Sequence, residues 1–154
     1  MKIPKVYLDT SIFNLALDDK NPDKKELTRQ LFAAIKAGKY EVFISDIVML
    51  EVNEAPPEIA GKLKELIADL DPEEIIAERE VYELAKKYIE QGIIPARYED
   101  DALHIAVASV NNLDVIISWN FEHIVKYKTK TETAGVNSIM GYKSIEIYSP
   151  QEVI

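Results

Sequence analysis

Three carboxylates and one amide stand where α/β proteins do chemistry. Asp9 ends the apolar run Val6-Tyr7-Leu8 and is followed by two hydroxyls, Thr10 and Ser11. Glu51 lies shortly after a second apolar run, Val42-Phe43-Ile44. Asp101 opens the stretch ALHIAVASV, and Asn120 follows DVIIS, residues 114 to 118. Carboxylates brought together in a low-dielectric cleft repel one another, and a divalent cation relieves the repulsion. A donor set made only of oxygen suits Mg²⁺ or Mn²⁺ rather than zinc or copper. A metal so held can lower the pKa of a water and neutralise charge on a phosphodiester. The pattern nominates Asp9, Glu51 and Asp101 as metal ligands, with Asn120 beside them.

Each residue also has a plainer reading. Asp9 suits the N-cap of a helix beginning near Ser11 equally well. Glu51 is one acid among many on helices, and an acid in a first helical turn, such as Asp100 or Asp101, complements the helix dipole. Asp101 is the more telling, because the helix it opens is apolar on nearly every face. His104, three residues on, shares its face and can orient a carboxylate, contact substrate or be hydrogen-bonded within the packing. Ser11 and Ser118 can bond a carboxylate or serve as cap and turn residues. Trp119, the single tryptophan, can stack a base or pack against a helix.

The elements that must position these groups alternate. Strands are expected at 3–8, 42–44, 74–77, 114–118 and 144–148. Helices are expected at 11–18, 23–37, from Ser45 or Asp46 to Pro56-Pro57, then to about 69, and at 78–91, 99–111 and 121–126. A short helix opens at Pro150. Gly38 and Gly92 read as helix stops. This order predicts an α/β fold of three layers, a mainly parallel central sheet with helices on both faces. In such sheets, sites form beyond the carboxyl ends of the strands.

Composition sets further bounds. At 154 residues, 47% apolar and 29% charged, the chain reads as a single domain, 1–154, with a full core. It has no cysteine, which excludes disulfides and thiolate metal sites. No signal peptide is expected, and no apolar run approaches the ~20 residues that span a bilayer. A cytoplasmic protein without a membrane partner is the expectation. The net charge of −9 argues against a broad basic surface. The most basic stretch is HIVKYKTKT, where Lys126, Lys128 and Lys130 are candidate phosphate contacts or only solubilise a loop. Lys24, Lys25 and Arg29 form a second, weaker patch.

Taken in order, KVYLDTSIF, ISDIVMLEV, EDDALHIAVA and DVIISWNFEHIV resemble the motifs of the PIN-domain family. The resemblance extends to the terminal VNSIMGY and EIYSPQEVI, and so over nearly the whole chain. It implies a metal-dependent ribonuclease fold, here similar to the small prokaryotic VapC-like toxins. Asp9, Glu51 and Asp101 then match the first three acidic positions, and Asn120 falls where many members carry a fourth acid. The resemblance implies hydrolysis of RNA with Mg²⁺ or Mn²⁺, one metal on Asp9 and Asp101 with Glu51 assisting. It also implies a homodimer and an antitoxin partner. The alternative is a PIN-fold binding or interaction module with weakened catalysis, toward which Asn120 and the acidic charge lean.

Other α/β sites fit less well. A haloacid-dehalogenase-like phosphatase wants a second Asp where Ser11 stands. A receiver domain wants an acidic pair before its phosphoacceptor and a lysine ending a later strand. A dinucleotide-binding first turn wants glycines that DTSIF lacks.

Overall fold

The structure, a computed structural model, describes residues 2–154. Five parallel strands form one sheet in the order β3-β2-β1-β4-β5. They are β1 (Lys5–Leu8), β2 (Glu41–Ser45), β3 (Glu73–Ile75), β4 (Val115–Ile117) and β5 (Glu146–Tyr148). Seven α-helices occur among the described residues: α1 (Thr10–Ala16), α2 (Pro22–Lys36), α3 (Asp46–Glu54), α4 (Pro57–Leu70), α5 (Arg79–Glu90), α6 (Glu99–Val110) and α7 (Tyr127–Met140). Short 3₁₀ turns sit at Ala96–Tyr98 and Pro150–Glu152. The three-layer α/β expectation holds, and the sheet is wholly rather than mainly parallel.

The strand order explains where a site can form. β1 is central, with β2 on one side and β4 on the other. Chain connections therefore leave β1 in opposite directions, which opens a crevice at the carboxyl ends of β1 and β4. Val6, Tyr7 and Leu8 are fully buried, as are Ile116 and Ile117. The strand ends are thus anchored in the core, and the residues directly after them are held rigidly. α6 is buried from Ala102 through Ser109, as its all-round apolar sequence requires.

One expectation fails. Residues 121–126 form turns and bends, and the helix begins at Tyr127. The Asn120 carbonyl accepts from Ile124 and Val125 N–H at 3.1 and 2.8 Å, curling the chain before any helix starts. α7 escapes notice because its buried stripe is polar: Thr129, Thr133 and Asn137, four residues apart. Thr129 donates to the His123 carbonyl at 2.6 Å and Thr133 to the Thr129 carbonyl at 2.5 Å. Asn137 Nδ2 donates to Ser109 Oγ at 2.9 Å, and its Oδ1 accepts from the Tyr88 hydroxyl. Lys126, Lys128 and Lys130 therefore flank a helix start rather than a loop.

Asn137→Ala should leave the buried Tyr88 hydroxyl and Ser109 with only their long 3.3 Å bond to each other. The expected cost is about 1–3 kcal/mol, read as a fall of several degrees in Tm. Calorimetry of the two proteins checks this.

Candidate functional site: an acidic corner at the sheet switch point

β1 delivers Asp9 to the crevice, where the carboxylate is 3% exposed. Asp9 occupies the N-cap position of α1, yet its side chain makes no capping hydrogen bond. The carboxylate turns inward instead. Ser11 Oγ donates to Oδ1 and Ser118 Oγ to Oδ2, each at 2.6 Å. Both hydroxyls are themselves aimed by backbone: Trp119 N–H donates to Ser11 Oγ and Asn120 N–H to Ser118 Oγ, each at 2.9 Å. Ser118 is reached because β4 pairs with β1 in register, Leu8 opposite Ile117. Both serines bond the Asp9 carboxylate, and Ser118 also closes a turn by accepting from Asn120 N–H, so for Ser118 both readings hold.

A second group forms around Glu51, on the second turn of α3. Thr10 Oγ1 and His104 Nε2 both reach Oε1, at 2.7 and 2.6 Å. His104 Nδ1 meets the Tyr7 hydroxyl at 2.7 Å, and that hydroxyl meets Ser45 Oγ, also at 2.7 Å. Ser45 caps α3 by accepting from Ile47 N–H at 3.2 Å. Thus β1, β2, α3 and α6 are tied by one buried chain, Ser45-Tyr7-His104-Glu51. His104 is a carboxylate-orienting residue set within the packing.

The electrostatics differ from acid to acid. Burial pushes the Asp9 carboxyl up, and the charge of Glu51 adds to this, against His104 and the two serine hydroxyls. Burial likewise pushes Asp101 up, with Asp9 adding to it, while His104, the Asn120 side chain and His123 pull it down. Asp100 is raised by burial and then by Glu51, with Glu54 and Glu99 further on. Burial pushes Glu51 up, but its hydrogen bond and charge pairing with His104 and the Thr10 bond outweigh this, so it falls below its ordinary value. Burial pushes His104 down, but the bond to Glu51 and the charges of Asp9, Glu51 and Asp101 outweigh this, and it is raised. An imidazolium donating from both nitrogens fits its two oxygen partners. The corner thus gathers four carboxyl groups, Asp9, Glu51, Asp100 and Asp101, around one imidazole.

These shifts fix a pH dependence for the metal-free protein. Asp9 and Asp101 hold protons more tightly when folded, so stability falls as pH rises above 3.8 through their folded values. The His104 contribution is complete below 6.5 and is lost as pH rises through its folded value. Glu51 opposes only below 4.5, where its contribution is lost on protonation. Tm in chelator is therefore expected to decline from pH 6 to pH 8, and less so in His104→Gln. Thermal melts at the two pH values check it.

Asn120 bends the chain with its side chain as well as its carbonyl. Its Oδ1 accepts from His123 N–H at 2.9 Å, and its side chain lowers the Asp101 carboxyl, as a donated N–H would. His123, which the sequence pattern does not single out, is 8% exposed and stacks on Tyr98 with centroids 4.2 Å apart. Its Nε2 is buried without a hydrogen-bond partner. Tyr7 and Thr10 also escape a reading of the sequence, and Ser45 is legible there only as the cap of α3, not as the partner of Tyr7. The one signal for them is a tyrosine inside a buried strand, whose hydroxyl must find a partner.

The basic stretch is not one surface. Lys126 and Lys130, four apart, share a side of the α7 start, whereas Lys128 lies roughly 200° round from Lys126. Lys128 donates to the Gly92 carbonyl at 2.9 Å, and Lys130 lies 5.7 Å from the Tyr148 ring centre. Trp119 is buried and packs rather than offering a free face.

Among the described residues, no three His, Asp or Glu side chains converge closely enough to hold one ion. The chemistry of the corner suits a looser arrangement. Asp9 and Asp101 repel each other, and Glu51 Oε2 takes neither of the bonds that hold Oε1. Mg²⁺ is commonly held by one or two carboxylates, with waters and phosphate oxygens completing the shell.

Comparison with known proteins gives a consistent result. The sequence profile of the PIN domain matches residues 6–124. No curated protein sequence matches. Among solved structures, a chain in the crystal structure of VapBC2 from Rickettsia felis, bound to a DNA fragment from their promoter, superposes with a TM-score of 0.59 at 17% identity. The match covers 94% of this chain and 98% of that one. At that identity the likeness concerns the fold. No helix among the described residues is long and apolar enough to cross a membrane.

Proposed function

The chain belongs to the PIN-domain family, and from that premise we propose that it is a divalent-metal-dependent ribonuclease, the toxin of a toxin–antitoxin pair. The observation that carries this reading is the Asp9 carboxylate. It is buried at the sheet switch point, fixed on both oxygens by Ser11 and Ser118, and raised by burial even against the pull of His104 and the two hydroxyls. Such a group costs stability unless a cation answers it.

Asp9 and Asp101 would hold Mg²⁺ or Mn²⁺, with Glu51 Oε2 assisting. When bound, the ion would supply a water of lowered pKa and neutralise charge on the phosphodiester. The chain's own residues do the rest. Ser11 and Ser118 keep Asp9 in one orientation, and Thr10 and His104 do the same for Glu51. The Asn120 amide restrains Asp101 and presents N–H to a phosphate oxygen. Lys126 and Lys130 offer backbone phosphate contacts, with Lys128 a weaker candidate because a carbonyl holds it.

The solved VapBC2 complex supports an antitoxin partner, whose Arg or Lys would enter the acidic corner. A homodimer and a cytoplasmic location belong to the same proposal. A second reading, a PIN-fold module with weakened catalysis, draws on Asn120 in place of a fourth acid and on the absence of a tight three-ligand cluster among the described residues. Incubating the purified protein with a total RNA pool in Mn²⁺, and again in chelator, separates the two. Cleavage that chelator stops supports the nuclease. Intact RNA under both conditions would leave the module.

A further inference from the structure

Phe121 and Lys24 form an aromatic–cation pair beside the acidic corner, and they come from distant parts of the chain. Phe121 lies two residues after Trp119, whose N–H donates to Ser11 Oγ at 2.9 Å, and that hydroxyl holds Asp9. Its ring is 43% exposed and meets Trp119 edge-on, with centroids 6.1 Å apart. The Lys24 ammonium lies 5.4 Å from the centre of each ring. That is within reach of a cation–π attraction.

The placement of Lys24 is built into the fold. Trp119 Nε1 donates to Thr28 Oγ1 at 2.8 Å, and Thr28 Oγ1 donates to the Lys24 carbonyl at 2.7 Å. Thr28 is fully buried. This relay pins the first turns of α2 to the corner that carries Ser118 and Asn120. Lys24 has no carboxylate within ion-pair distance among the described residues, whereas its neighbour Lys25 is held by Asp19 at 2.6 Å. What sets Lys24 apart is its place over the two rings, which the Thr28 relay fixes.

The geometry points to a nucleotide subsite in which a base of single-stranded RNA stacks on Phe121 and the adjoining phosphate meets Lys24. This rests on the ribonuclease reading and names how that site takes its substrate. An exposed ring accepts any base by its π-face, and the ammonium supplies the charge that the acidic corner lacks. The pair alternates aromatic and cation as single-strand binders do. Trp119 is the buried support of the platform, and Phe121 is its working face.

The test is anisotropy of a fluorescein-labelled adenosine decamer, and of an abasic decamer, in Mg²⁺. The protein is Asp101→Asn, so that bound RNA stays uncut. Adding Phe121→Ala should weaken the adenosine decamer roughly 5- to 150-fold and leave the abasic one within about twofold. Phe121→Tyr should bind like its parent, and an unchanged Tm shows that the ring's loss does not unfold the corner. Lys24→Gln should reduce the salt slope by about 0.7 for both decamers. Equal adenosine binding by the parent and Phe121→Ala overturns the subsite and leaves the patch to a protein partner. Absence of binding by the parent also overturns it. The nuclease reading stands or falls separately, on cleavage of the RNA pool by the wild type.

Discussion

Asp101→Asn should lower RNA cleavage by roughly 10³-fold, with little loss of fold. Charge stabilisation through a held cation is worth several kcal/mol, and each 1.36 kcal/mol is tenfold in rate. The amide keeps the shape of the carboxylate and removes its charge. Asp101 is pushed up by burial and by Asp9, so its ionisation costs the metal-free fold stability at neutral pH. Removing that charge should leave Tm in chelator unchanged or slightly higher. Lost activity with undiminished stability is a signature that misfolding cannot produce. A single-turnover cleavage assay and a melt on the same preparation read both. Cleavage within a few fold of wild type would remove Asp101 from the machinery.

The second large effect is on stability. His104 sits in the core, with one nitrogen on Glu51 and the other on the Tyr7 hydroxyl. His104→Ala takes one of two partners from a half-buried carboxylate and from a fully buried hydroxyl, which keep only Thr10 and Ser45, and opens a cavity. Breaking a buried pair by removing one member costs about 3–5 kcal/mol. Because the Glu51 side chain keeps 27% exposure, water should hold the cost near the lower end. For a domain this size that means a fall in Tm of roughly 6–12 °C. Glu51→Gln added to His104→Ala should recover part of it, since the uncompensated charge goes with it. Non-additivity in that double-mutant cycle measures the coupling. Two losses that simply add would mean that the ring matters only as packing.

Much of the architecture is legible in the sequence because the strands are short apolar runs punctuated by caps and glycines. Gly38 and Gly92 follow α2 and α5 with positive φ of 84° and 72°, the conformation that a helix stop requires. Asp9, Glu51 and Asp101 can be picked out because each follows or opens a buried element. Pairing across the sheet cannot be read in this way. For Ser11 and Ser118 a carboxylate role and a turn role are equally open in sequence, since only the β1–β4 register brings Ser118 to the Asp9 carboxylate. Tyr7, Thr10 and Ser45 act through partners between 38 and 97 positions away, beyond any local pattern. α7 is hidden because hydrophobic periodicity cannot register a stripe of Thr129, Thr133 and Asn137. For the same reason three lysines that look like one basic run in sequence separate on a helix.

The central claim, that the acidic corner holds a divalent cation, can be tested without knowing the RNA. Thermal unfolding of the wild type and Asp101→Asn, each with and without Mn²⁺ at neutral pH, is sufficient. A cation at ten times its Kd stabilises the fold by roughly 1.4 kcal/mol, or about 3–6 °C here. That rise is expected in the wild type, and its loss in Asp101→Asn. Equal behaviour of the two proteins at several millimolar Mn²⁺, whether both shift or neither does, would contradict the claim.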